Sequence, residues 1–406
     1  MKFIKQTKFI IVCLVAVHTN KLIAMNQIND DQIDLKLASL QNQITQLKNQ
    51  IKLQKTTKHS ETKSLVSTNS VIAKLLSSGG ATYSREQALL DSIKQRQTKP
   101  HQVYLGGKIE QVSTYNSDSI NDSGAYNSST EFLSKAKIGV LTRFSPWVSG
   151  FFSFQGSSNA SSIAAKENYI LINNGQTPLY LIAGSKYVDF GNFQRFAASI
   201  DPLNRVFWIS NDVSQIEGGY YSSGLNVQVT AFNGSSKTNT NSNQIANNAE
   251  TVYYQFNPTN ELSFHLGGAY INAINETASL ANSTSVVLTD NQRTAAFDFF
   301  GGGGITINSK NSLQYSAEYT QTRQINNRTS SAWLIASAYQ AQLFSRVYQL
   351  FLNYSALNAL TGHYNQYLIG LKSNIYGIRL GIDYALLTAS EVKNDHLVEL
   401  KLEYVF

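Results

Sequence analysis

The sequence predicts an all-β protein: a transmembrane antiparallel β-barrel of 14–16 strands, preceded by a short coiled-coil helix. Three observations carry this. From about Val103 onward, apolar residues recur at every second position, the period of a strand with two unlike faces. The connections between these strands alternate between short and long. After the N-terminal segment, no run of about 18 apolar residues could cross a bilayer as a helix, so a membrane-spanning form has to be a closed barrel.

The N-terminus reads as a targeting segment. Lys2, Lys5 and Lys8 precede the apolar run Phe9–Val17, which is too short to span a bilayer and suits a signal peptide over residues 1–24. Cys13, the only cysteine, lies inside that run with too little before it for a lipidation site. Removing residues 1–24 takes away four lysines (Lys2, Lys5, Lys8 and Lys21) and no acid, lowering the formal net charge from +7 to +3. The basic balance is therefore mostly a targeting charge and no argument for nucleic acid. The remaining chain has no cysteine and no disulfide framework.

Residues 25–56 follow a helical repeat. Ile33, Leu37, Leu40, Ile44, Leu47 and Ile51 are spaced alternately four and three apart between wholly polar flanks. A seam that narrow predicts a coiled coil and a homo-oligomer through Ile33–Ile51; the alternative is one amphipathic helix packed on its own chain. Residues 57–102 read as a polar periplasmic spacer, with a short helix around Arg85–Gln97.

Residues 103–406 form the expected barrel. In YGIRLGIDYA, Tyr376, Ile378, Leu380, Ile382 and Tyr384 share one face, with Arg379 and Asp383 on the other. YQLFLNY, QYLIGLK, SLQYSAEYT, LSFHLGGAY and LNVQVTAF alternate in the same way. Aromatic residues cluster at the ends of the oily face, as in the girdles of outer-membrane barrels, and a polar opposite face lines water, not a second sheet. Fourteen strands are read directly, including single strands at 178–189 and 220–232. The segment 190–218 is too long for a tight turn and either folds into the lumen or adds two strands. Links near Phe344–Arg346, Ser373–Ile375, Asn308–Asn311 and Asn257–Glu261 are short, whereas 271–291, 321–330, 355–364 and 386–395 are long and rich in Asn, Ser and Thr. Short periplasmic turns and long outer loops follow, with the C-terminus in the periplasm. The run Gly301–Gly304 lacks the context of a phosphate loop and predicts a bend or close packing against something bulky.

The last strand, LVELKLEYVF, places Leu400, Leu402, Tyr404 and Phe406 on the lipid side and Glu399, Lys401 and Glu403 on the water side. It should close the barrel on the first strand. Tyr404 and Phe406 have the form of the terminal signal by which the barrel assembly machinery recognises its clients. Loss of Phe406 should impair assembly far more than replacement of the water-facing Lys401.

No catalytic constellation is present, so the chain reads as a non-enzyme without a cofactor. None of the six histidines is paired at metal-ligand spacing. His265 facing the lumen with Asp298 on a neighbouring strand is the pairing that suggests itself, and a satisfied structural pair accounts for it. The candidates for a functional role are lumen charges: Lys135 and Lys137 on one strand, and Lys186, Arg195 and Arg205 in or near 190–218. With Asp201, Asp298, Arg379 and Asp383 they either set a weak anion preference through the field of a narrow pore or pair with lumen acids such as Glu318 and Glu399.

One stretch is more specific. AGSKYVDFGNFQRFAASIDPLNRVF, Ala183–Phe207, resembles a region of the LbtU-type siderophore porins, outer-membrane iron-uptake barrels with an N-terminal coiled coil. Lys186, Tyr187, Gly191, Phe193, Asp201, Pro202 and Leu203 occupy matching positions; Asp189 replaces a proline and Ile200 a serine. The resemblance covers about 25 residues as motif and most of the chain in organisation. It implies passage of iron or a ferric siderophore across the outer membrane, with the general porin for small hydrophilic solutes as the alternative. Residues 25–102 leave no room for the folded plug of an energised receptor.

Overall fold

The computed structural model describes residues 83–118, 127–159, 162–193, 196–210, 212–234, 245–277, 293–323, 329–344, 346–359, 362–389 and 394–406. The expected signal peptide, the Ile33–Ile51 coiled coil and Arg195 lie outside them. None of the described helices is long and apolar enough to cross a membrane.

Sixteen antiparallel strands close into one barrel: β1 (Gln102–Asp118), β2 (Asn127–Arg143), β3 (Val148–Ser157), β4 (Ala164–Ile172), β5 (Leu179–Tyr187), β6 (Asp212–Ser222), β7 (Leu225–Asn233), β8 (Ile245–Phe256), β9 (Leu262–Ile271), β10 (Ala296–Asn308), β11 (Asn311–Thr322), β12 (Ser331–Leu343), β13 (Arg346–Ala359), β14 (Gly362–Ile375), β15 (Ile378–Ala389) and β16 (Asp395–Val405). Each pairs with its sequence neighbours, and β16 returns to β1 with Glu403 opposite Glu110 and Lys401 opposite Val112. Closure leaves no sheet edge to pair with another chain.

The upper of the two expected strand counts is the observed one. Residues 220–232, expected as one strand, turn back at Ser223–Gly224 and split between β6 and β7. Both turn residues have positive φ, 51° and 84°, the geometry that lets a two-residue turn follow strand twist. Strand β4 completes the count; its alternation is weak at the start, where Ala164, Ala165 and Lys166 carry no oily face. The expected long link 355–364 is mostly strand, with only 360–361 between β13 and β14. The expected long link 386–395 likewise shrinks to 390–394, whereas 272–295 and 323–330 remain long.

Alternation sets the two faces. Leu400, Leu402, Tyr404 and Phe406 are outward and exposed, whereas Lys401 and Glu403 are inward and buried. Outward aromatics gather in two belts. At the loop end, Tyr270 packs on Phe297, Tyr319 on Trp333 and Tyr354 on Tyr367. At the turn end, Tyr254, Phe256 and Phe264 stack in a row, and Tyr404 stacks on Phe406. The expected close packing at the glycine run is also present. A Cβ on Gly302 would meet the His265 ring at 2.8 Å, and one on Gly303 would meet the Tyr315 hydroxyl at 2.7 Å.

Two elements sit inside. The β5–β6 connection, described over residues 188–193 and 196–210, folds into the lumen and contains the short helix α2 (Leu203–Trp208). A helix preceding β1, α1 (Tyr83–Lys94), buries Leu89, Leu90 and Ile93 against inward residues of β1 to β5. The stretch expected as spacer therefore ends in a helix seated in the barrel, because those three aliphatic side chains find apolar lumen wall to cover.

Candidate functional site in the barrel lumen

The inward segment is held by side chains that β-strand parity aims into the lumen. Glu318 on β11 accepts the backbone N–H groups of Asn192 (2.8 Å) and Phe193 (2.9 Å) and the Asn204 side-chain amide (2.9 Å). Asp383 on β15 accepts the N–H groups of Ala198 (3.3 Å), Ser199 (2.6 Å) and Ile200 (3.0 Å). The Leu203 N–H reaches Ser355 Oγ on β13 at 3.2 Å, and Lys372 Nζ on β14 donates to the Phe196 carbonyl at 2.7 Å. Irregular backbone exposes polar groups that a strand would pair internally, and the wall supplies the missing partners.

Apolar side chains fill the spaces between these anchors. Val188, Phe190, Phe193, Leu203 and Trp208 pack with inward residues of β6 to β10, β12 and β13. Phe196, Ala197 and Ile200 pack with Leu334, Phe351, Leu368 and Ala385 of β12 to β15. Gly191 and Phe193 both have positive φ, 76° and 45°, and the Phe193 ring lies where a Cβ on residue 191 would sit. The Ala183–Phe207 stretch thus owes its residue choices to this tertiary arrangement: a tight turn, two aromatic anchors, and α2 started by Pro202, whose fixed φ suits a helix beginning.

Lys186 is central. Its ammonium, fully buried at the end of β5, contacts Glu86 of α1 (2.9 Å), Asp189 of the inward segment (3.0 Å) and Glu217 of β6 (2.5 Å). Gln228 also donates to Asp189. One lysine thereby ties the N-terminal helix, the lumen segment and the wall together. Three carboxylates around one cation leave an excess of negative charge out of water, so protonation is favoured. Burial, reinforced by the Asp189 charge, pushes the Glu86 carboxyl up to about 8 despite the opposing pull of Lys186.

The structure places the other sequence candidates as follows. Lys135 and Lys137 share the inward face of β2; Lys137 is buried 3.5 Å from Glu167, and Lys135 is half-buried. Arg205 is buried on α2 with Nε 2.9 Å from Asp201. Asp298 accepts from Thr320 Oγ1 at 2.6 Å beside Glu318. It does not meet His265, which stands opposite Gly302 while Asp298 stands opposite Ala269. Arg379 pairs with Glu403 at 2.7 Å, whereas Asp383 is committed to the inward segment. Lys186, Asp201, Asp383 and Arg205 thus come together along the segment; Lys135, Lys137 and Arg379 do not join them.

Lys401 differs from the sequence expectation. It is inward but buried, bridging Glu110 across the β16–β1 seam at 2.5 Å and Glu403 at 3.2 Å, with Lys108 3.0 Å from Glu110. The strand pattern distinguishes lipid side from lumen side, but cannot tell water from a neighbouring ion pair. Sequence reasoning also missed Glu86 and Glu217. Glu217 has one signal, a single acid in the otherwise uncharged SQIEGGYY, whereas Glu86 sits beside Arg85 in SREQALL with nothing to mark it out.

Solved structures with the same architecture are outer-membrane porins and channels. The chain is similar to an anion-selective porin from Comamonas acidovorans (13% identity, TM-score 0.54, 75% of this chain and 99% of that one). It is similar to the outer-membrane channel DcaP of Acinetobacter baumannii (14%, 0.53, 76% and 98%) and to OprB of Pseudomonas putida (11%, 0.58, 80% and 96%). At such identities the likeness shows the fold, a closed 16-strand antiparallel barrel of the porin kind. No family model matches the chain, and no curated protein matches it.

Proposed function

We propose that the chain is an outer-membrane channel for small hydrophilic solutes, driven by diffusion. The carrying observation is the partition of side chains across one closed sheet: an exposed apolar exterior between two aromatic belts, and a polar, ion-paired interior. A barrel with that partition spans a bilayer with every strand hydrogen bond satisfied and keeps water inside. The fold shared with porins supports the same reading. In this reading the seven connections from β2–β3 to β14–β15 that share the side of the termini face the periplasm, and the others, the two-residue 360–361 link among them, face outward.

The lumen charges support weak ion selectivity. Lys137, Lys186, Arg205, Arg379 and Lys401 each lie against a carboxylate, so little net field remains to sort ions. Uptake of a ferric siderophore is the second reading, carried by the Ala183–Phe207 resemblance. A lumen crossed by the inward segment and by α1 favours small solutes over a bulky chelate. Planar-bilayer conductance with and without ferric siderophore separates the two. Ohmic channels indifferent to the chelate support the small-solute channel. Current block, together with lost growth on siderophore iron after gene deletion, would replace it with the uptake route. A refolded barrel that conducts neither as wild type nor with the lumen helix displaced would refute both.

A further inference from the structure

We infer that α1 is a displaceable stopper: it closes the sector of the lumen that the inward segment leaves uncovered, and the channel opens when this helix leaves its seat. The inference rests on the channel reading above.

Sector complementarity is the first argument. The inward segment is anchored or packed from the end of β5 round to β15. Among the described residues it leaves β1 to β4 bare. α1 packs on that sector, against Tyr104 of β1, Leu141 of β2, Phe151 of β3, Tyr169 and Leu171 of β4, and Tyr180 and Ile182 of β5. These inward residues are apolar on the water side of the barrel. An oily strip there is costly unless covered, and Leu89, Leu90 and Ile93 are the side chains that cover it.

The seat lies at the turn end. Leu141 is two residues before the end of β2, Leu171 one before the end of β4, and Tyr180 one after the start of β5. The inward segment enters from the opposite end. Among the described residues the two obstructions cover different walls, and α1 is the one that lies over β1 to β4.

The attachment suits release. Among the described side chains, Leu89, Leu90 and Ile93, the Glu86–Lys186 pair and a hydrogen bond from the Tyr221 hydroxyl to Asp91 at 3.1 Å hold α1. A helix of 12 residues is marginal on its own, so it has no reason to persist away from the wall. The connector to β1 is strained. Arg96 and His101 have φ of 55° and 60°, a region disfavoured for residues with a Cβ, and release lets Arg96 relax while the His101 N–H stays on the Arg143 carbonyl. The barrel does not depend on α1 for closure, since all sixteen strand pairings lie outside it.

The test uses the full chain with Leu89→Asp and Ile93→Asp, which places two charges on the apolar seat. Folding of the barrel is checked by its heat-modifiable migration on a gel. Release is checked by maleimide labelling of Leu90→Cys, buried when α1 is seated. The expected result is single-channel conductance at least twofold above wild type. A second variant keeps the test decisive: Asp91→Cys and Tyr221→Cys, whose native side chains touch, joined by a short thiol-cleavable bis-maleimide. The joined form should conduct at the low level and rise towards the released level on cleavage when Leu89→Asp and Ile93→Asp are also present. Equal conductance in the joined, cleaved and wild-type proteins overturns the inference and leaves the channel reading intact. No conductance in any form overturns the channel reading as well.

Discussion

Replacing Asp383 with Ala should detach one end of the lumen segment without opening the barrel. The carboxylate accepts three backbone N–H groups, from Ser199 at 2.6 Å, Ile200 at 3.0 Å and Ala198 at 3.3 Å. Hydrogen bonds to a charged acceptor contribute ~1.5–3 kcal/mol each, and the longest of these three falls at or below the lower figure. Water can enter the vacated space and satisfy part of the loss, so the net cost is roughly 3–4 kcal/mol, near the sum of the two shorter bonds at the low end of that range. It falls on local opening of residues 196–203, because Asp383 itself stays in a strand paired on both sides. At about 1.4 kcal/mol per decade, the amides of Ser199 and Ile200 should lose two to three decades of hydrogen-exchange protection, while those of β14 and β15 keep theirs. Unchanged protection at Ser199 and Ile200 would refute the claim that this carboxylate holds the segment. Loss of protection throughout β14 and β15 would show that the barrel itself depends on it.

Other expectations concern the seam, the terminus and the helix. Lys401→Met removes the central cation from Glu110 and Glu403 and leaves them Lys108 and Arg379; with side chains 8–12% exposed, the cost is about 2 kcal/mol, read as a lower denaturant midpoint for gel-shifted barrel. No shift in midpoint would mean that the seam network contributes nothing. Deleting Phe406 removes two backbone bonds to Gly107, at 2.8 and 2.9 Å, and a ring lying over that glycine, so the folded fraction after refolding should fall severalfold. Gly107→Val, whose Cβ would come 2.5 Å from the Phe406 ring, should reproduce part of the defect; normal assembly of both variants would show the terminal contact to be dispensable. The seat of α1 should loosen in alkali. The Glu86 carboxyl is raised from 4.5 to about 8 by burial and the charges of Asp189 and Glu217, against the pull of Lys186, so its protonation favours docking fully below 4.5, and that contribution is lost as pH rises through about 8. Labelling of Leu90→Cys, normalised to a free thiol, should therefore quicken from pH 6 to pH 9, and the opposite trend would contradict the assignment.

The sequence alone determined the barrel, its lipid face and its closing strand. Alternation is local: a residue at even or odd position in a strand has no choice of side, so the exposed Leu400, Leu402, Tyr404 and Phe406 and the buried Lys401 and Glu403 follow from order in the chain. The split of 220–232 into two strands was less visible, because Ser223–Gly224 is a weak turn signal inside a continuous two-residue period.

What the lumen charges do was decided only by the tertiary structure. Parity tells that Asp383 and Glu318 point inward, but not that residues 198–200 and 192–193 arrive to meet them. The partners lie more than a hundred residues away in sequence, and what brings them together is the path of an irregular segment with no repeat of its own. The same holds for Lys186, which sequence placed near a constriction and the fold buried among Glu86, Asp189 and Glu217. A strand's periodicity fixes the direction of a side chain, and only closure of the barrel around its contents fixes what that side chain meets.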